Sequence, residues 1–300
     1  MTHRLNKIFG KKEGSGRQAK KPSPEAPRDD QLTRGTTKKL SVYPKQLVAG
    51  TGQSVGLHRE HNEDALFAFT YGSADGKNQK EIGFFIIADG MGGHRNGEVA
   101  SSVACQVISR NILHKLVEIV SFDEFDLTEM DWSGHLQQAF EEAQRAVTQQ
   151  VPGGGTTATA VLWSDHKLTV AHVGDSRAYL VFSDGRLKKL TVDHSLVQRL
   201  VEMNEITPGE ADVHPQKNVL LRAIGQPEPL QTDVSTLTTP PGVKLMLCSD
   251  GLWGVVDEAT IVSIVLQNDD PVDACAHLVA AANAQGGPDN ISTIIAELKE

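Results

Sequence analysis

Three apolar runs in this chain each end on an aspartate beside a glycine, and this pattern limits the fold more than any other feature. Phe84-Phe85-Ile86-Ile87-Ala88 leads into Asp89-Gly90-Met91-Gly92-Gly93. Leu245-Met246-Leu247-Cys248 leads into Ser249-Asp250-Gly251, and Val170-Ala171-His172-Val173 into Gly174-Asp175-Ser176. Short apolar runs bounded by glycine read as buried strands, so each brings a carboxylate to a strand tip. Asp289, in Gly286-Gly287-Pro288-Asp289-Asn290, comes just before the last such run, and Asp64, after Asn62-Glu63, starts another. Carboxylates gathered at one point repel each other unless a cation lies between them. Hard oxygen ligands without a His or Cys cluster favour magnesium, manganese or calcium. Two such ions can acidify a shared water and clamp a phosphoryl oxygen, and the glycines let a backbone carbonyl approach. Taken singly, each Asp-Gly reads as a turn, and Asp75-Gly76 and Asp184-Gly185 read as nothing more. Spacing alone does not bring the other five aspartates together, so a metal site and a set of turns both remain open.

Periodicity supplies the frame. Residues 65–71 and 83–88 read as strands separated by the turn-rich Gly72-Ser73-Ala74-Asp75-Gly76. Over 98–120 the period changes. Val99, Val103, Val107, Ile112, Leu116 and Ile119 recur at helical steps, and Leu136, Phe140, Ala143 and Val147 predict a second helix. Residues 156–190 return to strands, with turns at 164–167 and 183–186. Helices are predicted at 194–204, 260–266 and 271–284, and strands at 244–248 and 291–296. Hairpin-joined strands with helices in separate pairs predict an α+β fold, a four-layer αββα sandwich of two antiparallel sheets flanked by helix pairs. Cys105, Cys248 and Cys275 share no metal-ligand spacing and sit inside apolar runs, so buried free thiols are expected.

Charge divides the chain. The net charge is −9 over 300 residues, yet residues 1–45 carry 12 Lys/Arg against 4 Asp/Glu, and the remainder 17 against 34. The tail, 1–45, is too polar to form a core and is expected to be disordered, either a solvated tail or a dock for an acidic partner or membrane surface. The folded domain is then 46–300. Its acidity argues against nucleic-acid binding and suits the holding of cations. No secretory leader and no apolar run long enough to span a membrane is read, so a soluble, cytoplasmic protein is expected.

Taken together, the motifs resemble the metal-dependent protein phosphatases, the type 2C family, in their bacterial form. The resemblance covers roughly residues 51–298. Its blocks follow the family's order: Gly56-Leu57-His58-Arg59-Glu60-His61-Asn62-Glu63-Asp64, Asp89-Gly90-Met91-Gly92-Gly93-His94, Gly155-Thr156-Thr157, Gly174-Asp175-Ser176-Arg177, Ser249-Asp250-Gly251-Leu252-Trp253 and Asp289-Asn290. The resemblance implies a phosphoserine/phosphothreonine phosphatase using two Mn(II) or Mg(II) ions. Asp89 would bridge both ions, with the carbonyl of Gly90 on one. Asp250 and Asp289 would complete the other, and Asp64 would act through a water. Arg59 would hold the substrate phosphate, whose oxygens a guanidinium fork fits bidentately. Asp175 matches a ligand of a third, weaker ion; the alternative is a structural aspartate paired with Arg177. The implied chemistry is in-line attack by a metal-bridging hydroxide, without a phosphoenzyme. Candidates for the general acid are His61 and His94, beside a metal-bound water. Segment 193–225 resembles the flap beside the site in bacterial members.

The implied partners are phosphorylated proteins and an opposing bacterial Ser/Thr kinase, with the protein itself a monomer. Two other readings stay open. A binding module could keep this fold without turnover, and a hydrolase of small phosphoesters could share the site but not the substrate.

Overall fold

The strands pair as two antiparallel sheets, and helices cover the outer face of each. In chain order the elements are β1 (Gln46–Ser54), β2 (Asp64–Ala74), β3 (Gln79–Met91), α1 (Arg95–Val120), α2 (Trp132–Gln150), β4 (Gly155–Thr156), β5 (Ala158–Ser164), β6 (Lys167–Val173), β7 (Arg177–Val181) and β8 (Leu187–Lys189). They continue with α3 (Leu196–Glu202), α4 (Pro208–Asp212), β9 (Asp233–Thr238), β10 (Lys244–Cys248), α5 (Asp250–Trp253), α6 (Glu258–Gln267), α7 (Pro271–Ala284) and β11 (Ile291–Lys299). One sheet runs β1-β11-β10-β7-β8 and the other β2-β3-β5-β6-β9, with β4 added to β3. This computed structural model describes residues 45–74, 79–92, 95–120, 130–227 and 229–299. The expected tail, the Asp75-Gly76 turn and His94 lie outside the described residues, Lys45 excepted.

Three apolar layers separate four structural ones, because alternate residues on a strand face opposite ways. On β3, Phe84, Ile86 and Ala88 pack toward α1 and α2, whereas Phe85 and Ile87 pack toward the other sheet. On β10, Met246 and Cys248 face α6 and α7, while Leu245 and Leu247 join Phe85, Trp163 and Ile294 between the sheets. Strands buried on both faces read as unbroken apolar runs, which is why these were visible in the sequence. The αββα sandwich is the observed fold. Cys105, Cys248 and Cys275 are free and buried. Among the described residues no helix is long and apolar enough to cross a membrane.

Two expectations need correction. Gly72, Ser73 and Ala74 do not form a link: they continue β2 opposite Glu81, Lys80 and Gln79. Backbone pairing carries the hairpin past the point where turn-type side chains begin. On α1, Val99 is 44% exposed, and the buried stripe is Ala100, Ala104, Ile108, Ile112 and Leu116. The small alanines let the helix approach the sheet, and Val103 and Val107 flank that contact. Strands β1 and β9 were not foreseen, because glycine-bearing or polar edge segments lack a clear apolar period.

Candidate metal centre

The β2–β3 register sets Asp64 directly opposite Asp89. The β10 tip is fastened to β11 at its own end: Ser249 N donates to Ser292 O at 3.0 Å, and Ser292 N to Ser249 Oγ at 3.0 Å. From there Ser249 Oγ reaches across to donate to Asp64 Oδ2 at 2.8 Å. The ends of both sheets therefore meet, and the next residue, Asp250, opens α5 beside Asp89.

A cavity of about 530 Å³ lies at this meeting point, lined among others by Arg59, Asp89, Gly90, Asp175, Asp250 and Asp289. Six of the seven residues singled out in the sequence share it. The seventh, Asp64, is buried and does not line the wall. His61 lines the cavity, and so do Asn218 and Leu220 from segment 193–225.

The carboxylates are strongly perturbed. Burial pushes Asp64 up to about 7, against hydrogen bonds from Ser292 and Ser249 that lower it. Asp89 is raised well above the ordinary range by burial, and then by Asp64 and Asp250. Burial, then Asp289, pushes Asp250 up to about 6; burial, then Asp250 and Asp193, pushes Asp175 up to about 8. Desolvated carboxylates that raise one another's pKa are what a cation would relieve. Asp64 Oδ1 and Asp250 Oδ1 are buried with no hydrogen-bond partner. This oxygen-only donor set, with two orphaned carboxylate oxygens, fits hard divalent ions. Among the described residues no three His, Cys, Asp or Glu side chains close tightly enough to hold an ion by themselves. Water and backbone oxygen would have to share the coordination, as ions that keep part of their hydration shell allow.

Arg59 Nη2 donates to Asp289 Oδ2 at 2.7 Å from a half-exposed position at the cavity wall. Asn290 holds the loop that carries Arg59. Its Oδ1 accepts from Glu63 N at 2.8 Å, and its Nδ2 donates to Val55 O at 2.8 Å and His61 O at 2.9 Å. At Gly90 a Cβ would stand 2.2 Å from the Gly97 carbonyl oxygen, so only glycine lets the strand end lie against the start of α1. The backbone of Asp89 is held by Thr157, whose Oγ1 accepts from Asp89 N at 2.9 Å and whose N donates to Asp89 O at 2.8 Å.

The proposed pairing of Asp175 with Arg177 is not the one formed. Arg177 turns to Asp193, with Nη2 to Oδ2 at 2.6 Å, and lies 3.4 Å over the Trp253 ring. Burial between strands and α5 favours the aromatic face and a second carboxylate sixteen residues on. Sequence reasoning missed the supporting roles of Ser249 and Thr157. The only signal was their place beside Asp250 and within Gly155-Thr156-Thr157.

Several known proteins are similar to this chain. The profile of the family described as Protein phosphatase 2C matches residues 49–291. The serine/threonine phosphatase stp of Listeria innocua serovar 6a is 34% identical over 248 residues, covering 81% of this chain and 92% of that protein. The solved serine/threonine phosphatase PstP/Ppp of Mycobacterium tuberculosis superposes with a TM-score of 0.71 at 31% identity, covering 85% of this chain and 100% of that one. A structure of the PstP catalytic domain in complex with two manganese ions matches with a TM-score of 0.68 at 30% identity, over 86% of this chain and 100% of that one.

Proposed function

Because the chain belongs to the protein phosphatase 2C family, we propose that it hydrolyses phosphoserine and phosphothreonine in proteins with the help of two Mn(II) or Mg(II) ions, its catalytic domain being 46–300. The observation that carries this reading is the gathering of Asp89, Asp250 and Asp289 at one cavity whose wall also bears Arg59.

Asp89 would hold both ions, with the carbonyl of Gly90 on one, and Asp250 and Asp289 would hold the other. Asp64, set back from the wall, would act through a water, and Asp175 would serve a third ion. Bound ions of this kind supply an acidified water and neutralise charge on phosphoryl oxygens. The chain's own work is binding and orientation. Arg59 presents a guanidinium that stays charged and can take two phosphate oxygens while its partner Asp289 engages a cation. Thr157 and Ser249 hold Asp89 and Asp64 in place, so little reorganisation is needed as charge develops. The three thiols take no part: burial pushes each up to about 12, away from the reactive thiolate. A cytoplasmic monomer opposing a Ser/Thr kinase completes the reading, since only a kinase supplies such phosphoesters.

The test is turnover of a phosphothreonine peptide and of p-nitrophenyl phosphate by the whole chain, with manganese and with chelator. Manganese-dependent peptide turnover supports the proposal. Turnover of the small ester alone would replace it with the small-phosphoester reading, and no turnover of either with the binding-module reading.

A further inference from the structure

We propose that His194 is a positioning residue that ties the Gly174-Asp175 turn to the strand-like stretch bearing Leu220: its ring holds the turn amide, its backbone holds both the turn carbonyl and that stretch, and the ring thereby fixes the backbone on which a cavity carboxylate and a cavity wall both rest. The inference rests on the phosphatase reading for its kinetic meaning, but not for its geometry.

Gly174 adopts φ 110°, and a Cβ there would stand 2.5 Å from Thr157 Cβ. The turn that ends β6 is thus held by glycine, whose two backbone polar groups both need partners in a buried place. His194 satisfies both. Its backbone N donates to Gly174 O at 2.7 Å, and its ring Nδ1 faces Gly174 N at 3.1 Å. An Nδ1 that accepts from an amide carries no proton, so the ring proton of the neutral imidazole must be on Nε2. Nε2 faces Asp233 Oδ2 at 3.1 Å, where it can donate. Arg222 Nη1, which donates to Asp233 Oδ1 at 3.0 Å, fixes that carboxylate in turn. The result is a carboxylate–imidazole–amide chain that ends on the residue before Asp175, with Arg222 Nη1 also 3.3 Å from Nε2.

The backbone of His194 and its neighbours holds residues 219–221, the far limb of the same segment 193–225. Leu221 N donates to His194 O at 2.7 Å, and Leu196 N donates to Val219 O at 2.8 Å. Leu220, between those two anchors, pairs with Ser195 and lines the cavity. The neighbouring Asp193 grips Arg177, which stacks on Trp253, and Trp253 Nε1 donates to Asp175 O at 3.1 Å. Asp193 and His194 together therefore brace the Asp175 turn from two directions and carry the root of the segment.

Three variants separate positioning from packing. His194→Asn keeps an acceptor near Nδ1 for Gly174 and loses Asp233. His194→Gln keeps a donor near Nε2 for Asp233 and loses Gly174. Asp233→Asn alters a side chain that is 54% exposed, so folding is preserved if either ring variant fails to fold. Hydrogen exchange is read on the chelated protein, and turnover of a phosphothreonine peptide with manganese.

In His194→Gln, exchange should speed up together in peptides covering 174–175 and 219–221, and kcat/KM should fall about 10–100-fold, the loss usual for outer-shell partners of a site. His194→Asn should stay within about threefold of the parent, and Asp233→Asn should fall between, at unchanged Tm. Equal losses in Asn and Gln that track Tm would make His194 a packing residue and overturn the proposal, as would accelerated exchange in only one of the two segments. If the parent protein turns over no phosphopeptide, the phosphatase reading fails, and the exchange data alone decide the role of His194.

Discussion

Asp64 and Asp89 stand directly opposite each other across the β2–β3 ladder. Opposed residues of an antiparallel pair share a face with Cβ atoms about 5 Å apart, and like charges so placed repel. Here Asp64 is buried against Ser249, and Asp89 is half-buried at the cavity wall. The sheet thus maintains an electrostatic conflict that a bound cation resolves.

That conflict has a pH signature in metal-free protein. Asp64 and Asp175 are pushed up to about 7 and 8, above their unfolded values. A carboxylate raised in this way contributes stability that is intact below its unfolded pKa and lost as pH rises through its folded one. His172, pushed down to about 3 by burial, acts oppositely, but only below its unfolded value near 6.5. Between pH 6.5 and 8.5 the chelated protein should therefore lose Tm, and manganese should flatten the slope. Thermal unfolding in chelator and in manganese checks this; a chelated Tm that rises over that window would count against it.

Asp89→Asn should separate activity from stability. Removing this raised carboxylate should lower kcat by at least about a hundredfold, since it takes away the proposed shared ligand. The same change relieves repulsion, so Tm in chelator at pH 8 should rise or hold. Loss of both would mean that the carboxylate is structural.

Gly90→Ala should destabilise without any change of charge. The added methyl meets the Gly97 carbonyl oxygen at 2.2 Å and the Glu63 carbonyl oxygen at 2.6 Å, both backbone atoms that cannot swing aside. Overpacking of this kind costs about 1–3 kcal/mol, measurable by denaturant unfolding.

Asn290→Ala should loosen the loop that carries Arg59. Its side chain makes three hydrogen bonds to loop backbone, at Val55, His61 and Glu63. Leaving those groups unpaired should cost about 1–3 kcal/mol and raise the KM for phosphopeptide. Urea unfolding and peptide kinetics would show it, and an unchanged KM would mean that the loop is held by other contacts.

Arg59→Lys should raise the KM for phosphothreonine peptide about tenfold, because a point charge replaces a bidentate fork. An equal KM in the two proteins would remove Arg59 from phosphate binding.

The sequence by itself determined the parts. Alternation and unbroken apolar runs revealed β3, β5, β6, β10 and β11, because those strands are buried on both faces. Helical periods revealed α2 and α7, and the aspartates at strand tips were visible as local patterns. The tertiary structure alone decided what those parts meet. Asn290 reaches Val55 across 235 residues, and Ser249 reaches Asp64 across 185. No local period encodes such contacts, because they arise only when the register of two sheets and the packing between them are settled together. The same holds for Arg177. The nearby Asp175 was the partner suggested by proximity in sequence, but burial between β7 and α5 gave the guanidinium Asp193 and the face of Trp253 instead. Side-chain period follows from the covalent chain, whereas convergence follows from which apolar surfaces must be removed from water together.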